Sequence, residues 1–451
     1  MASTYLTRTP ASSTTADAWT YSVWVKRASL GIASQICCGR TDGNNQATFQ
    51  FDASDQLYFD NYTAGGITVK NVTNRVFRDV GAWYHIVLDF DSSTAGARSA
   101  ADRMKIWVNG VRETSFSTET QAGADATTHF CQESSCQIRI GASAAASPVA
   151  GFEGVMAHNF YVAGVGHPAT VFGEFDSTSG IWVAKTSPSV TYGTNGFFLK
   201  YQDTSAFGDD SSGNTNDFVL SGTMTQTKDT PDNNFCTMNP LDNFYAGDTF
   251  SNGNTTATTS TAYGYSRCTQ SLSTGKWYWE IKATTIAATD YTIGIASKPS
   301  LSATDWVGST SESYSYVATD GKIYTSAAGT AYGDTYSAGD IIGVYLDLDN
   351  NKLYFAKNGI VQNSGTGYSI TASASTTDGV YASAIGAWSG TGGNVFDGNF
   401  GNGYFGTTAV TSAVADEGGI GQFEYDPSSG TFDGSSKDFR AICTNNIATY
   451  G

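Results

Sequence analysis

Charge is what this chain of 451 residues has least of: Asp, Glu, Lys and Arg make up 14%, against about 25% in ordinary soluble domains. Lys and Arg total 24 against 41 acidic residues, a formal net charge of −17. That balance argues against nucleic-acid partners, because phosphate contacts need clustered cations, and against docking on anionic lipid. Proline is scarce, at 8. No apolar run approaches the ~20 residues of a membrane span, and Met1–Pro10 has no apolar signal-peptide core. The expectation is a chain made in a cytoplasm, with no membrane insertion. Cysteine is sparse and odd in number, at 7, which rules out a disulfide framework in so long a chain. Cys37 and Cys38 are adjacent, and Cys131 and Cys136 share a loop-like stretch beside His129. Paired Cys-x-x-Cys knuckles are missing, so no zinc site is expected. Buried or free thiols are the expectation, with a Cys131–Cys136 bridge as the alternative.

What is abundant is glycine, at 50 residues, with aromatics at 13%. Short aromatic strands separated by many turns suit this mixture, which is poor in helix formers. Two halves repeat one pattern. Residues Trp19–Val25 (WTYSVWV) alternate as a half-buried strand. In Trp83–Phe90 the odd positions place Trp83, His85, Val87 and Asp89 on one face, and Tyr84, Ile86, Leu88 and Phe90 on the other. Met104–Val108 runs into Asn109-Gly110, a strong hairpin signal because both residues tolerate positive φ. The second half restates this in Trp277–Ile281, Tyr291–Ala296 and Ile341–Leu348, then turns at Asn350-Asn351 and at Asn358-Gly359. The fold class is therefore all-β: two antiparallel β-sandwiches joined by a β-rich connector. Residues 1–172 form the first sandwich and 246–402 the second. Residues 173–245, with Pro188, Pro231 and Pro240, form a connector expected to pack on the first sandwich, and 403–451 form a Gly- and Ser-rich tail.

Several motifs carry a resemblance. Trp83–Val87, followed by Asp102–Gly110 (DRMKIWVNG), resembles laminin-G-like, concanavalin A-like jelly rolls. Gly275–Glu280, Thr319–Lys322, Gly339–Asp349 and Leu353–Gly359 together resemble a SPRY domain, with four separated segments in the expected order. The connector segments Phe172–Asp176, Tyr192–Gly196 and Asn234–Pro240 are similar to those joining these modules in proteins of tailed marine bacteriophages and prophages. The ending Phe439–Cys443 is similar to theirs as well. The resemblance implies a virion structural or host-contact role and brings no catalytic residue or ligand.

Tests for chemistry return little. Gly-x-Ser-x-Gly elbows, His-Glu-x-x-His and phosphate loops are absent. Glycan hydrolysis needs two carboxylates across the scissile bond. Glu174 and Asp176 are the nearest candidates, but Thr178 and Ser179 stand where a second Glu would follow. Asp347–Asn351 looks like the start of a calcium loop, yet Lys352 replaces the turn glycine and Asn358 the bidentate glutamate. Alternation assigns Asp347 and Asp349 to an exposed strand face. Asp89 and Asp91 are weighed for calcium likewise, and His85 reads as a core or boundary residue. No metal, cofactor or catalytic residue is expected. Aromatic rings are the feature consistent with recognition: Trp306, Tyr314 and Tyr316 in a loop-rich stretch, and Trp388 before Gly390–Gly393. Such rings stack on sugars or anchor partners; the plainer reading has them covering sandwich edges and subunit seams.

The sequence reading is thus a non-enzymatic virion protein of a bacteriophage, a surface fibre (tail fiber) or capsid or tail decoration with assembly and host-attachment roles. Its expected partners are other virion proteins of capsid, neck or tail and sister subunits, with a homotrimer by fold analogy, and a host surface glycan or protein. The alternatives are a host-glycan adhesin and, behind it, a polysaccharide depolymerase.

Overall fold

The computed structural model describes residues 4–14, 17–260, 263–287, 290–389, 392–433 and 436–451. Met1–Ser3 and the pair Gly390 and Thr391 lie outside the described residues. The chain is nearly all β and divides into two compact units, Met1–Gln226 and Thr227–Gly451. No helix among the described residues is long and apolar enough to cross a membrane.

Among the described residues the first unit stacks an eight-stranded on a six-stranded sheet, both antiparallel. The eight-stranded sheet runs in the order Phe116–Thr120, Gly66–Val76, Gln56–Thr63, Gln46–Phe51, Ser34–Arg40, Gln137–Ile140, Tyr5–Arg8, Val219–Ser221. The six-stranded sheet is centred on Ala18–Arg27 and Trp83–Asp91. Alternation sorts the side chains as expected: Tyr84, Ile86, Leu88 and Phe90 enter the core between the sheets, with Phe49, Phe51, Leu57 and Phe59 facing them. Trp19 sits at the centre, its ring 4.8 Å from Phe130 and 5.3 Å from Phe90, and its indole N–H donates to Thr128 Oγ1 at 2.9 Å. Both faces of the six-stranded sheet are buried, because a second cluster of Trp24, Trp83, Val87, Phe160, Phe172 and Trp182 covers the outer one.

In the second unit, Trp277, Trp279 and Ile281 face Ile293, Ile295 and Tyr316 across the sandwich. Lys276–Thr285 lies between Val395–Asn399 and Ile341–Asp347 in the larger sheet, and Ala382–Ser389, Asp290–Ala296 and Ser313–Val317 lead the smaller. Both Asn-Gly turns form with positive φ at each residue: 48° and 77° at Asn109-Gly110, 48° and 80° at Asn358-Gly359. Each asparagine ties a neighbouring strand as well. Asn109 Oδ1 accepts from His85 N at 2.8 Å, and Asn358 Oδ1 from Ile341 N at 2.9 Å.

The boundary between units falls inside the expected connector. Phe197–Leu199 extends the six-stranded sheet beside Gly154–Ala163, and Val219–Ser221 pairs with Tyr5–Arg8. From Thr227 the chain belongs to the second unit, where Phe235 pairs with Cys443 and Met238 with Cys268. The expectation that all of 173–245 packs on the first sandwich is corrected there, because Phe235, Cys236 and Met238 bury their apolar surface in the second. The tail is no free appendage: Phe423, Phe432 and Phe439 close over Tyr278, Tyr345 and Tyr354 on the outer face of the larger sheet.

Candidate functional site

The four aromatic residues singled out in the sequence separate. Tyr314 and Tyr316 lie on Ser313–Val317, a strand, and turn inward; Tyr316 is fully buried and stacks on Phe355 at 5.1 Å. Their assignment to a contact surface is therefore corrected: period-2 alternation between Ser313, Ser315 and Val317 sends both rings to the core. Trp306 and Trp388 do meet, edge to face at 4.5 Å, with Tyr324 4.9 Å from Trp388 as a third ring. Trp306 is almost buried in that trio, while Trp388 and Tyr324 are half-buried. The trio holds the 297–312 loop against the smaller sheet, with Val307 packed on Tyr265, Ala296 and Ala384 beneath it. That is a structural task, with Trp388 and Tyr324 left as a narrow exposed edge.

Two pairs among the described residues set a base beside a hydroxyl: His129, whose Nδ1 lies 2.9 Å from Glu133 Oε2, has Nε2 3.4 Å from Thr63 Oγ1, and the tighter pair is His85 and Ser22, with Nε2 2.8 Å from Oγ. Its chemistry runs the wrong way. The indole of Trp182 donates to His85 Nδ1 at 2.9 Å. An indole N–H can only donate, so Nδ1 accepts and the ring proton sits on Nε2, pointing at Ser22. Burial pushes the His85 pKa down to about 3, and both residues are inaccessible. Trp24 stacks on the ring at 4.7 Å. The group is a latch that seats the hairpin Gly173–Phe175/Trp182–Ala184 on the sandwich, and Gly110 leaves room for the Trp182 ring, since a Cβ there would lie 2.3 Å from it.

The carboxylates considered for catalysis or calcium are engaged otherwise. Glu174 is exposed and pairs with Lys185 at 3.3 Å, while Asp176 caps its own turn through Ser179 N at 2.7 Å. Asp89 binds Arg98 at 2.7 Å, and Asp91 lies 3.6 Å from the same guanidinium, which supplies the cation there. Asp347 is fully buried, a correction to the exposed face assigned by alternation; it accepts from Asn350 N and Nδ2 at 2.9 and 2.8 Å and so caps the turn. Asp349 accepts from Gly275 N at 2.9 Å. All seven cysteines are buried free thiols. Cys136 Sγ donates to His129 O, and Cys131 Sγ faces Cys37 Sγ at 4.0 Å. Among the described residues no group of three or more His, Cys, Asp or Glu is placed to hold a metal ion.

Glu280 is the most unusual charged side chain of the second unit. It is fully buried and receives four donors: Tyr278 Oη, Asn399 Nδ2, and the backbone N–H groups of Glu424 and Tyr425, at 2.8–3.0 Å. Loss of hydration pushes its pKa up to about 7 even though those donors pull it down. Two of the four belong to the tail, so this carboxyl is the tail's anchor.

A groove of about 400 Å³ lies on the outer face of the eight-stranded sheet. In Gln46–Phe51 and Gln56–Thr63 the inward positions are Ala47, Phe49, Phe51, Leu57 and Phe59, so the outward ones are Gln46, Thr48 and Gln50, and Tyr58, Asp60 and Tyr62. Register aligns them in rows: Arg40, Gln46 and Tyr62; Cys38, Thr48 and Asp60; Gln35, Gln50 and Tyr58. The 143–150 loop forms one wall. Arg139 fixes it by donating to Ser143 O and Ala145 O at 2.7 and 2.8 Å, and Gln35 N donates to Ala150 O at 2.8 Å. Sequence reasoning missed this site. Its signal, polar amides and hydroxyls alternating with core aromatics in QATFQF and QLYFDNYT, was present, but the neighbouring loop wall is set by residues about 100 positions away.

Comparison with known families accords with this architecture. Residues 276–399 match the SPRY domain, and residues 2–158 match the Concanavalin A-like lectin/glucanases superfamily. These are typically non-catalytic binding modules. Among solved structures, the SPRY domain of human HERC1 is 17% identical, with 36% of this chain and 96% of that one covered and a TM-score of 0.30. The TRIM65 PSpry domain is 16% identical, covering 36% and 90%, with a TM-score of 0.28. A stonustoxin structure is 18% identical, covering 36% and 27%, also at 0.28. Comparison with curated proteins gives no match.

Proposed function

We propose that this chain is a non-enzymatic structural protein of a bacteriophage virion, a surface fibre or capsid or tail decoration that joins assembly to host contact. The support is twofold: the connector and tail motifs similar to those of marine phage proteins, and a chain that pairs two modules of a binding type. The observation that carries the non-catalytic part is the Ser22–His85–Trp182 arrangement. That pair has its proton on the wrong nitrogen and is sealed from solvent, and the other hydroxyl beside an imidazole, Thr63 Oγ1 next to His129 Nε2, is a long contact at 3.4 Å. A depolymerase finds no support in Glu174, which is exposed and paired with Lys185, or in Asp176, which caps its own turn through Ser179 N.

The partners in this reading are capsid, neck or tail proteins and sister subunits, with a homotrimer as the fibre arrangement, and the location is the virion. Immunogold labelling of purified particles should decorate the particle surface, and host polysaccharide incubated with the pure protein should keep its chain length. Unlabelled particles or shortened polysaccharide would each count decisively against the reading. The groove on the eight-stranded sheet favours an adhesin role within this same biology.

A further inference from the structure

Among the described residues Phe244 is the most exposed large apolar side chain, 89% open to solvent. It tips the 239–248 loop of the second unit, and that loop is not slack. Asn239 accepts from Leu241 N through Oδ1 and from Asp242 N through its carbonyl, both at 3.0 Å. Asn243 grips Asp248 twice: its Nδ2 donates to Asp248 O at 2.6 Å, and its Oδ1 accepts from Asp248 N at 2.7 Å. Ser266 Oγ donates to the Asp248 carboxylate at 2.7 Å from the strand beneath. A loop held by this many bonds presents its apolar tip in one geometry, so binding has little backbone ordering to offset.

The apolar surface continues around Phe244. The Tyr245 ring meets it edge to face, with centroids 5.0 Å apart. Gly264 lies so close to Ala246 that a Cβ there would stand 2.6 Å from Ala246 Cα, which brings Tyr263 beside Tyr245. Gly264 N also donates to Asp305 O at 2.6 Å, and Asp305 Oδ2 accepts from Leu301 N at 3.0 Å, so the 297–305 turn flanks the same spot. Arg267 clamps the two loops together, with Nε on Asp242 Oδ2 and Nη1 on Ser297 O, each at 2.5 Å. Leu241 and Leu301 are 58% and 59% exposed, and Tyr245 and Tyr263 37% and 42%.

Area and charge select the occupant. Aromatic side chains carry about 150–250 Å² each, so the five leave on the order of 500 Å² of apolar surface bare. That is near the top of the range for the largest patch on a monomer, about 300–600 Å². A standard interface takes about 800 Å² from each partner, of which roughly 60% is apolar. This face therefore supplies the apolar share of one side of a stable dimer. Two chains of net charge −17 repel, so they meet best where carboxylates are already engaged. Asp242 is neutralised by Arg267 here, and Asp305 is held by Leu301 N. A second copy brings the same bare area in equal amount from the moment the chain is made.

We propose that the face built from the 239–248 and 297–305 loops, with Phe244 at its centre, binds the same face of a second copy of this chain in a two-fold dimer. The inference goes beyond the virion reading, which takes a trimer from fibre analogy. The two fail separately, since particle labelling reports location and solution mass reports this contact.

Sedimentation equilibrium of the full chain should give twice the chain mass. Phe244→Ser should raise the dissociation constant about thirtyfold or more, the scale of a buried aromatic anchor. Its side chain is solvated in the single chain, so the strand signal in circular dichroism should be unchanged. Leu301→Ser should weaken the dimer in the same direction. Val219→Ser removes a 70% exposed apolar side chain of the first unit and should leave the mass as in wild type. A wild-type mass of one chain or of three would overturn the proposal. So would Phe244→Ser and Leu301→Ser proteins that associate like wild type, or a Val219→Ser protein that dissociates as they do.

Discussion

His85 keeps its proton on Nε2 because Trp182 occupies Nδ1, and it stays neutral because burial holds its pKa near 3. An imidazole in the unfolded chain titrates near ~6.5. Between those values the unfolded chain binds a proton that the folded one refuses, so stability present above pH ~6.5 is lost as pH falls toward 3. The full effect is on the order of 5 kcal/mol. Denaturant unfolding of the full chain at pH 7.5 and 4.5 should show the first unit weakening on acidification, and His85→Gln should lessen that slope. An unchanged slope would remove the latch account. The core placement of His85 was legible from its neighbours Trp83 and Val87. Its partner was not: Trp182 lies 97 residues away, in a stretch whose prolines and turns read as connector. Tyr314 and Tyr316 mislead for a related reason, since a five-residue strand flanked by serines looks like a loop until its neighbours are known.

At the scale of elements, asparagine turns and tail contacts contrast. Asn109-Gly110 and Asn358-Gly359 were readable because a two-residue hairpin with positive φ at both positions is a local demand. Asn358→Ala loses the bond to Ile341 N and strains the backbone, and should destabilise the second unit by about 1–2 kcal/mol in urea unfolding; an effect below the scatter of that measurement would contradict it. The tail was not readable as a cover, because Phe423, Phe432 and Phe439 are spaced by Gly, Ser and Asp and meet strands that lie far away in sequence. Its anchor, Glu280, gives a pH signature opposite to that of His85. The folded carboxyl titrates near 7 and the unfolded one near 4.5, so the folded chain is the better proton binder in between. Stability is therefore greatest below pH 4.5 for this group and falls as pH rises to 7, by on the order of 3 kcal/mol at most. Asp248, raised to about 6 by burial, acts in the same direction. Urea unfolding of the second unit should weaken between pH 5 and 7.5, and Glu280→Gln should flatten most of that change while lowering stability at pH 5. A wild-type profile that rises across that range would contradict the assignment.

At the scale of the whole molecule, composition settled the fold class. Abundant glycine, frequent aromatics and few charges leave stacked antiparallel sheets as the economical way to bury the apolar surface, and both units are built so. Composition could not reveal the groove, because concavity on the outer face of a sheet depends on the 143–150 loop standing beside it. The measurement closest to the central claim is quantitative mass spectrometry of gradient-purified phage particles. The account predicts this chain among the structural proteins at a fixed copy number per particle; particles that carry none of it would contradict the account.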